Sequence, residues 1–183
     1  MTHKSILIIF TRNPILGKVK TRLAKAVGKK TALDIYLFLL QKTKEVTQNI
    51  HCDKVIFYSQ EILENDLWDT TTYKKELQVG KHLGAKMNHA FETCFKDKYH
   101  KVVLIGSDLY DLEASHIEEA FEKLEKKDVV IGPATDGGYY LIGLKKTYPK
   151  IFQNKNWGTS SVREDTLKNL EKVDVPLLPM LND

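Results

Sequence analysis

Three short stretches place polar and ionisable side chains directly after apolar runs. The first is Thr11-Arg-Asn-Pro-Ile-Leu-Gly17, continued by Lys18, Lys20 and Arg22. The second is Gly106-Ser107-Asp108, with Asp111 three residues on, and the third is Thr135-Asp136-Gly137-Gly138. A turn built around Pro14 and Gly17 and followed by three cations could set backbone N–H groups and positive charge around a diphosphate. An Asp just past a buried strand sits where open α/β sheets bind ligands, and its carboxylate could hold a hard cation against phosphate oxygens. Paired glycines after an Asp let backbone come close to a ligand. Each stretch also has a plainer reading: a solvated basic face, a turn Asp capping its own backbone, and a tight turn between strands. Taken together, they fit a nucleotide-diphosphate donor bound through a divalent cation. Neither Gly-x-x-x-x-Gly-Lys-[Ser/Thr] nor Gly-x-Gly-x-x-Gly occurs, which argues against kinase, GTPase and NAD-dehydrogenase chemistry.

The elements that must position these stretches follow from hydrophobic periodicity. Ser5–Phe10 and Lys101–Ile105 are short, branched apolar runs suited to strands covered on both faces. Lys54–Ser59, Asp128–Ile131 and Tyr139–Leu144 read the same way, with a short strand at Glu76–Val79 and a last one at Lys172–Val175 stopped by Pro176. Ala32, Leu33, Tyr36, Leu37, Leu40 and Thr43 recur at helical spacing, predicting a helix over about 30–49. Further helices are signalled by Met87, Ala90, Phe91, Cys94 and Phe95, and by Ile117, Ala120, Phe121 and Leu124 behind a Ser115/Glu118 capping box. Another is signalled by Val162, Leu167 and Leu170 behind Ser161/Glu164. The segment 60–75, with an isolated Trp68, has no clear period. Strands alternating with helices predict a three-layer α/β/α sandwich with a Rossmann-like, mostly parallel but mixed sheet. The close spacing of the 128–131 and 139–144 strands adds a hairpin-like unit.

The chain has 183 residues, best read as one domain spanning 1–183. Its formal charge of +4 is unevenly spread: the first 33 residues carry eight Lys or Arg and no acid, leaving 20 basic and 24 acidic residues in the other 150. That pattern suits a localised anion site better than a nucleic-acid surface, which would spread basic residues over several elements with aromatics between them. No apolar run approaches the roughly 20 residues that span a bilayer, and the start lacks a cleavage signal, so the expected location is the cytoplasm. Cys52 and Cys94 lack metal-ligand spacing and read as inert thiols; the histidines show no ligand-like spacing either. Tyr139 and Tyr140 alternate across a strand, so one packs in the core while the other can reach the pocket.

The motifs Pro14-x-x-Gly17-x-x-Lys20-Thr21-Arg22-Leu23, Gln78-x-Gly80-x-x-Leu83-Gly84-x-x-Met87, Ile105-Gly106-Ser107-Asp108 and Gly132-Pro133-Ala134-x-Asp136-Gly137-Gly138-Tyr139-Tyr140-Leu141-Ile142-Gly143-Leu144 occur in this order. In them the chain resembles the small bacterial GT-A-type glycosyltransferase-like proteins, the radical-SAM- or selenodomain-associated transferases. The resemblance implies a nucleotide-diphospho-sugar transferase fold, a divalent cation (Mg²⁺ or Mn²⁺), and transfer of a sugar from a nucleotide to an acceptor that these motifs do not specify, a small molecule or otherwise. It implies that Thr11, Arg12, Gly17, Lys20, Arg22, Gly106 and Ser107 surround the nucleotide phosphates and that Asp108 holds the metal. Gly137, Gly138, Tyr139, Trp157 and Thr159 would face the sugar or acceptor, with Asp136 and Lys20 catalytic. The alternatives are a guanylyl- or cytidylyltransferase-like enzyme using a nucleoside triphosphate and a small phosphorylated substrate, and a nucleotide-binding protein without turnover. The chain departs from the family pattern in two places. Leu109-Tyr110 replaces the usual Cys-Pro, which predicts a looser loop. The Asp-x-Asp-Thr tail is not matched, so that only Asp183 could add a second carboxylate.

Overall fold

The computed structural model describes residues 4–182; Asp183 lies outside them. Six strands form one sheet: β1 (Ser5–Thr11), β2 (Asp53–Tyr58), β3 (Tyr73–Leu77), β4 (Lys101–Gly106), β5 (Val129–Pro133) and β6 (Tyr139–Leu144). Their order across the sheet is β3-β2-β1-β4-β6-β5, with β6 antiparallel to both neighbours and the pairs within β3-β2-β1-β4 parallel. The helices are α1 (Thr21–Val27), α2 (Lys29–Thr47), α3 (Leu83–Lys96), α4 (Ala114–Lys126) and α5 (Val162–Asn169). Among the described residues, no helix is long and apolar enough to cross a membrane.

The period-two alternation of the strands builds two cores. Leu7, Ile9, Ile56, Tyr58, Val103 and Ile105 point to the face covered by α2 and α4, where Tyr36, Leu40, Ile117 and Leu124 meet them. Ile6, Ile8, Val55, Phe57, Val102 and Leu104 point to the other face, where α3 contributes Met87, Ala90 and Phe91. Both faces of the central strands are thus buried, as their unbroken apolar runs require. The result is the α/β/α sandwich with a mixed sheet that the alternation of elements predicts.

The departures from the sequence expectation have local causes. β3 starts at Tyr73, earlier than Glu76–Val79, because the only buried apolar residue of this edge strand, Tyr-Lys-Lys-Glu-Leu, is its tyrosine, and so it shows no period. α1 buries no residue at all, so its apolar spacing carries no signal. α4 begins at Ala114 and is capped by Glu113 and His116, whose Nδ1 accepts from the Glu113 N–H at 3.1 Å; Ser115 already lies inside the first turn. Ser161 does precede α5, but its hydroxyl pairs with Thr159 Oγ1 at 3.2 Å and makes no cap. The expected last strand at Lys172–Val175 does not form. The chain instead touches β5 through isolated parallel bridges, Ile131 with Leu177 and Ala134 with Leu181. Pro176 and Pro179 have no N–H to extend that ladder.

Cys94 is in the α3-side core and Cys52 packs against the other, so no disulfide joins them. Burial pushes Cys52 up to about 11, partly countered by Lys54, and pushes Cys94 up to about 12. Because the folded state holds these protons more tightly, their contribution to stability is complete below the ordinary thiol pKa of about 8.5 and is lost as pH rises through the folded values. At pH 8 both native thiols should react with Ellman's reagent at least about 100-fold more slowly than after unfolding in guanidinium. Fast native labelling of either would contradict this.

Candidate functional site

The chain leaves β1 toward β2 and later returns to the other side of β1 as β4, so the sheet order reverses between these two strands. A crevice is expected outside their carboxyl ends. One is found there: a cavity of about 470 Å³ with Thr11, Arg12 and Asn13 from the end of β1, Ser107 and Asp108 from the end of β4, and Ser59 and Gln60 after β2. Lys18 and Gln78 line it as well, and the start of α3 adds Lys81, His82 and Lys86. Four Lys or Arg residues and one carboxylate therefore line the same crevice.

The two loop ends are held by α2. Tyr36 is 2% exposed, and its hydroxyl donates to the Arg12 carbonyl at 3.0 Å and accepts from the Arg12 N–H at 2.9 Å. The same oxygen lies 3.3 Å from both Thr11 Oγ1 and Ser107 Oγ, and Ser107 Oγ donates to Thr11 Oγ1 at 3.1 Å. One helix turn pair further on, Thr43 Oγ1 donates to the Ser107 carbonyl at 2.9 Å. Burial, with a smaller contribution from the Asp108 charge, holds the Tyr36 phenol above its usual range. A phenylalanine at 36 should lower stability by about 1–3 kcal/mol, since it strips a buried network of its central hydroxyl. Urea unfolding would measure this, and a loss near zero would mean that water replaces the phenol.

The β2 side is fixed by Asn13, 3% exposed, whose Nδ2 donates to Glu61 O at 2.8 Å and whose Oδ1 accepts from Gln60 N at 3.0 Å. Gln78 Nε2 bridges Thr11 O at 3.1 Å and Phe57 O at 2.9 Å, tying the ends of β1 and β2. Sequence reasoning did not assign Gln78, Lys81, His82 or Lys86 to the site. The signal was present in the Gln78-x-Gly80 motif, which opens the turn into α3.

Lys20 approaches the crevice from the other side. Its Nζ lies 2.8 Å from Asp108 Oδ2 and 3.3 Å from the Asp108 carbonyl. To reach there its backbone adopts φ 43°, ψ 45°, a left-handed conformation disfavoured for lysine, immediately before α1. The expected metal ligand and an expected phosphate ligand are thus paired with each other. The loop after Asp108 is anchored without the family's proline, because Leu109 and Leu112 are both buried in the α2-side core.

The other expected residues divide. Thr11, Arg12, Ser107 and Asp108 line the crevice, whereas Gly17 and Arg22 do not. Gly106, Asp136, Gly138, Tyr139, Trp157 and Thr159 line a neighbouring cavity of about 250 Å³ with mostly apolar walls. Phe10 and Leu83 line both cavities. Asp136 Oδ1 accepts from the Gly138 N–H at 2.8 Å, so the turn role anticipated for it is filled. Gly137 lines neither cavity; its φ of 91° brings it so close to Ser160 that a Cβ would lie 2.2 Å from that carbonyl oxygen. Tyr140 is buried with its hydroxyl on Pro179 O at 3.0 Å, yet both tyrosines line the second cavity, so the expected division between core and pocket does not hold. The tail reaches this end, where Thr135 Oγ1 donates to Asn182 Oδ1 at 3.0 Å.

With this geometry in place, the comparisons are consistent. Residues 40–159 match the family described as "Uncharacterized protein conserved in bacteria (DUF2064)", and the chain belongs to that family. A crystal structure from Desulfovibrio desulfuricans G20, of a protein designated a candidate nucleotide-diphospho-sugar transferase, superposes with a TM-score of 0.88 at 34% identity, over 98% of this chain and 81% of that one. The 2-phospho-L-lactate guanylyltransferase of Methanocaldococcus sp. (strain FS406-22) is 27% identical over 133 residues, 71% of this chain; the chain spans about half, 55%, of that relative's length. Rv0371c of Mycobacterium tuberculosis H37Rv, solved in complex with manganese, shares the fold alone, with a TM-score of 0.55 at 10% identity over 100% of this chain and 90% of that one. The fold is therefore the nucleotide-diphospho-sugar transferase type that the motifs imply.

Proposed function

We propose that this member of the DUF2064 family is a transferase that binds a nucleotide-diphospho-sugar through Mg²⁺ or Mn²⁺ and passes the sugar to an acceptor in the adjoining cavity. The observation that carries the reading is that Arg12, Lys18, Lys81 and Lys86 line one crevice together with a single carboxylate, Asp108, at the switch point of the sheet. Four cations and a single acid suit a ligand that brings several negative charges of its own.

The residues fit a divalent cation of a particular kind. No group of three or more His, Cys, Asp or Glu side chains able to hold a metal occurs among the described residues, so a cage made by the protein alone is not offered. Mg²⁺ commonly needs only one or two carboxylates when substrate phosphates and water supply the remaining ligands, and Asp108 meets that need. The Lys20 ammonium 2.8 Å from Asp108 Oδ2 supports the placing of a cation beside this carboxylate. When bound, the metal would neutralise charge developing on the leaving diphosphate. Lys20, displaced from Asp108, would then turn to the phosphates, and the crevice cations would hold the diphosphate in place as charge builds. Asp136, fixed by its bond to Gly138, would orient the acceptor's reacting group.

A second reading, a nucleotidyltransferase using GTP or CTP, is supported by the guanylyltransferase relative. The two differ in what they release. Incubation with Mn²⁺ and sugar nucleotides, or with GTP and CTP, followed by assay for nucleoside diphosphate and pyrophosphate, separates them. Nucleoside diphosphate supports sugar transfer, and pyrophosphate supports the second reading. Failure of every nucleotide to raise the melting temperature, with or without Mn²⁺, would overturn both.

A further inference from the structure

Resting on that reading, we propose that the second cavity selects an uncharged acceptor whose reacting hydroxyl or amine is carried on an aromatic or branched aliphatic group, and that it rejects phosphorylated acceptors. The cavity adjoins the donor crevice through Phe10 and Leu83, and its volume of about 250 Å³ has room for one ring or a short branched chain. Its walls include Met87, Leu104, Trp157 and Val162, and no Lys or Arg lines it. The one charged lining residue is Asp136, an acid. A phosphorylated acceptor would meet a carboxylate and no cation there. A sugar would lose water from its hydroxyls against walls with few partners to return. An apolar group gains by leaving water in the same place.

The wall is built to close tolerance. Trp157 packs so tightly on α3 that a Cβ at Gly84 would fall 2.7 Å from its ring and 2.2 Å from the Phe152 carbonyl. The indole nitrogen Nε1 is buried with no hydrogen-bond partner among the described residues, at a cost in stability.

Trp157 also provides the readout. The other tryptophan, Trp68, lies in the opposite core, so a Trp68→Phe variant reports Trp157 fluorescence alone. If that variant does not fold, the wild type is titrated against Trp157→Phe as the blank. The probes are benzyl alcohol, cyclohexanol, glucose and O-phospho-L-serine. Benzyl alcohol and cyclohexanol should saturate the signal about 10- to 100-fold more tightly than glucose, in line with the burial of one hydrocarbon group. O-phospho-L-serine should not saturate it. Leu83→Glu, at an exposed position of the shared rim, should weaken the alcohols at least several-fold. Saturation by glucose or O-phospho-L-serine at lower concentration than benzyl alcohol would overturn the proposal. So would a non-saturating alcohol response, or one unchanged in Leu83→Glu. Donor binding is followed separately, through the melting temperature with GDP and Mn²⁺. Alcohol binding without any nucleotide response would sink the donor reading and leave the pocket standing; the reverse would sink the pocket alone.

Discussion

Replacement of Asp108 by alanine is expected to remove the metal-dependent part of nucleotide binding and to lower turnover by about 10²- to 10³-fold, the usual scale for losing one group that stabilises developing charge. Asp108 is the one carboxylate lining the crevice among the described residues, and its Oδ2 is 2.8 Å from Lys20 Nζ. Its removal has two effects of opposite sign. Any divalent cation loses its protein anchor, while Lys20 and the crevice cations gain an uncompensated positive charge. Nucleoside diphosphate without metal should therefore raise the melting temperature at least as much as in the wild type, and the additional rise with Mn²⁺ should vanish. The side chains of the pair are 26% and 39% exposed, so breaking it should change stability by less than about 1 kcal/mol, and lost activity would not reflect unfolding. Lys20→Met gives the mirror image. With its ammonium gone, Asp108 should take Mn²⁺ alone more readily, while the nucleotide–Mn²⁺ complex binds less tightly. Should Asp108→Ala keep its Mn²⁺-dependent rise, the metal is held elsewhere.

What the sequence disclosed, and what it did not, depends on where the relevant bonds lie. Strands β1 and β4 were legible because both faces are buried, leaving runs of branched residues that little else explains. The crevice was legible through Asp108, Arg12 and Lys18, which stand out by type and by position after a strand. The role of Tyr36 was hidden. At helical spacing it reads as one more apolar residue of α2, and only the fold brings its hydroxyl to Thr11, Arg12 and Ser107, 71 residues away at the furthest. Lys20 was assigned to phosphate by its charge; its bond to Asp108 depends on a left-handed backbone that composition does not show. Lys81 and Lys86 reach the crevice because α3 returns to the switch point, which is a fact of topology. Residues 60–72 carried no period since they form no regular element, and Trp68 is buried by contact with Tyr73 at a ring distance of 5.1 Å.

That irregular segment supplies the second large effect. Lys75→Met is expected to lower stability by about 3–5 kcal/mol, the cost of breaking a buried ion pair from one side. The Lys75 side chain is 5% exposed, and Nζ sits 2.9 Å from Asp66 Oδ1, 2.6 Å from Leu63 O and 3.1 Å from Glu64 O. Asp66, 14% exposed, also accepts from Tyr58 Oη at 2.6 Å and Trp68 N at 3.1 Å. One ammonium on the edge strand thus ties Leu63, Glu64 and Asp66 of the excursion between β2 and β3 to the sheet. Methionine keeps the volume but leaves a buried carboxylate without its counter-charge. For a protein of this size, each kcal/mol moves the midpoint by about 2–4 °C, so a fall on the order of 10 °C is expected by calorimetry. Burial and the hydrogen bond to Asp66 also hold the Tyr58 phenol above its usual range. The folded state therefore keeps that proton more firmly, so this contribution is complete below the ordinary phenol pKa of about 10 and declines above it. The double variant Lys75→Met with Asp66→Leu separates charge from packing. If the single change is costly because it strands a carboxylate, removing that carboxylate should restore most of the loss. If the double variant is no more stable than the single, the lysine acts through its bonds to the Leu63 and Glu64 carbonyls, and the ion pair is incidental.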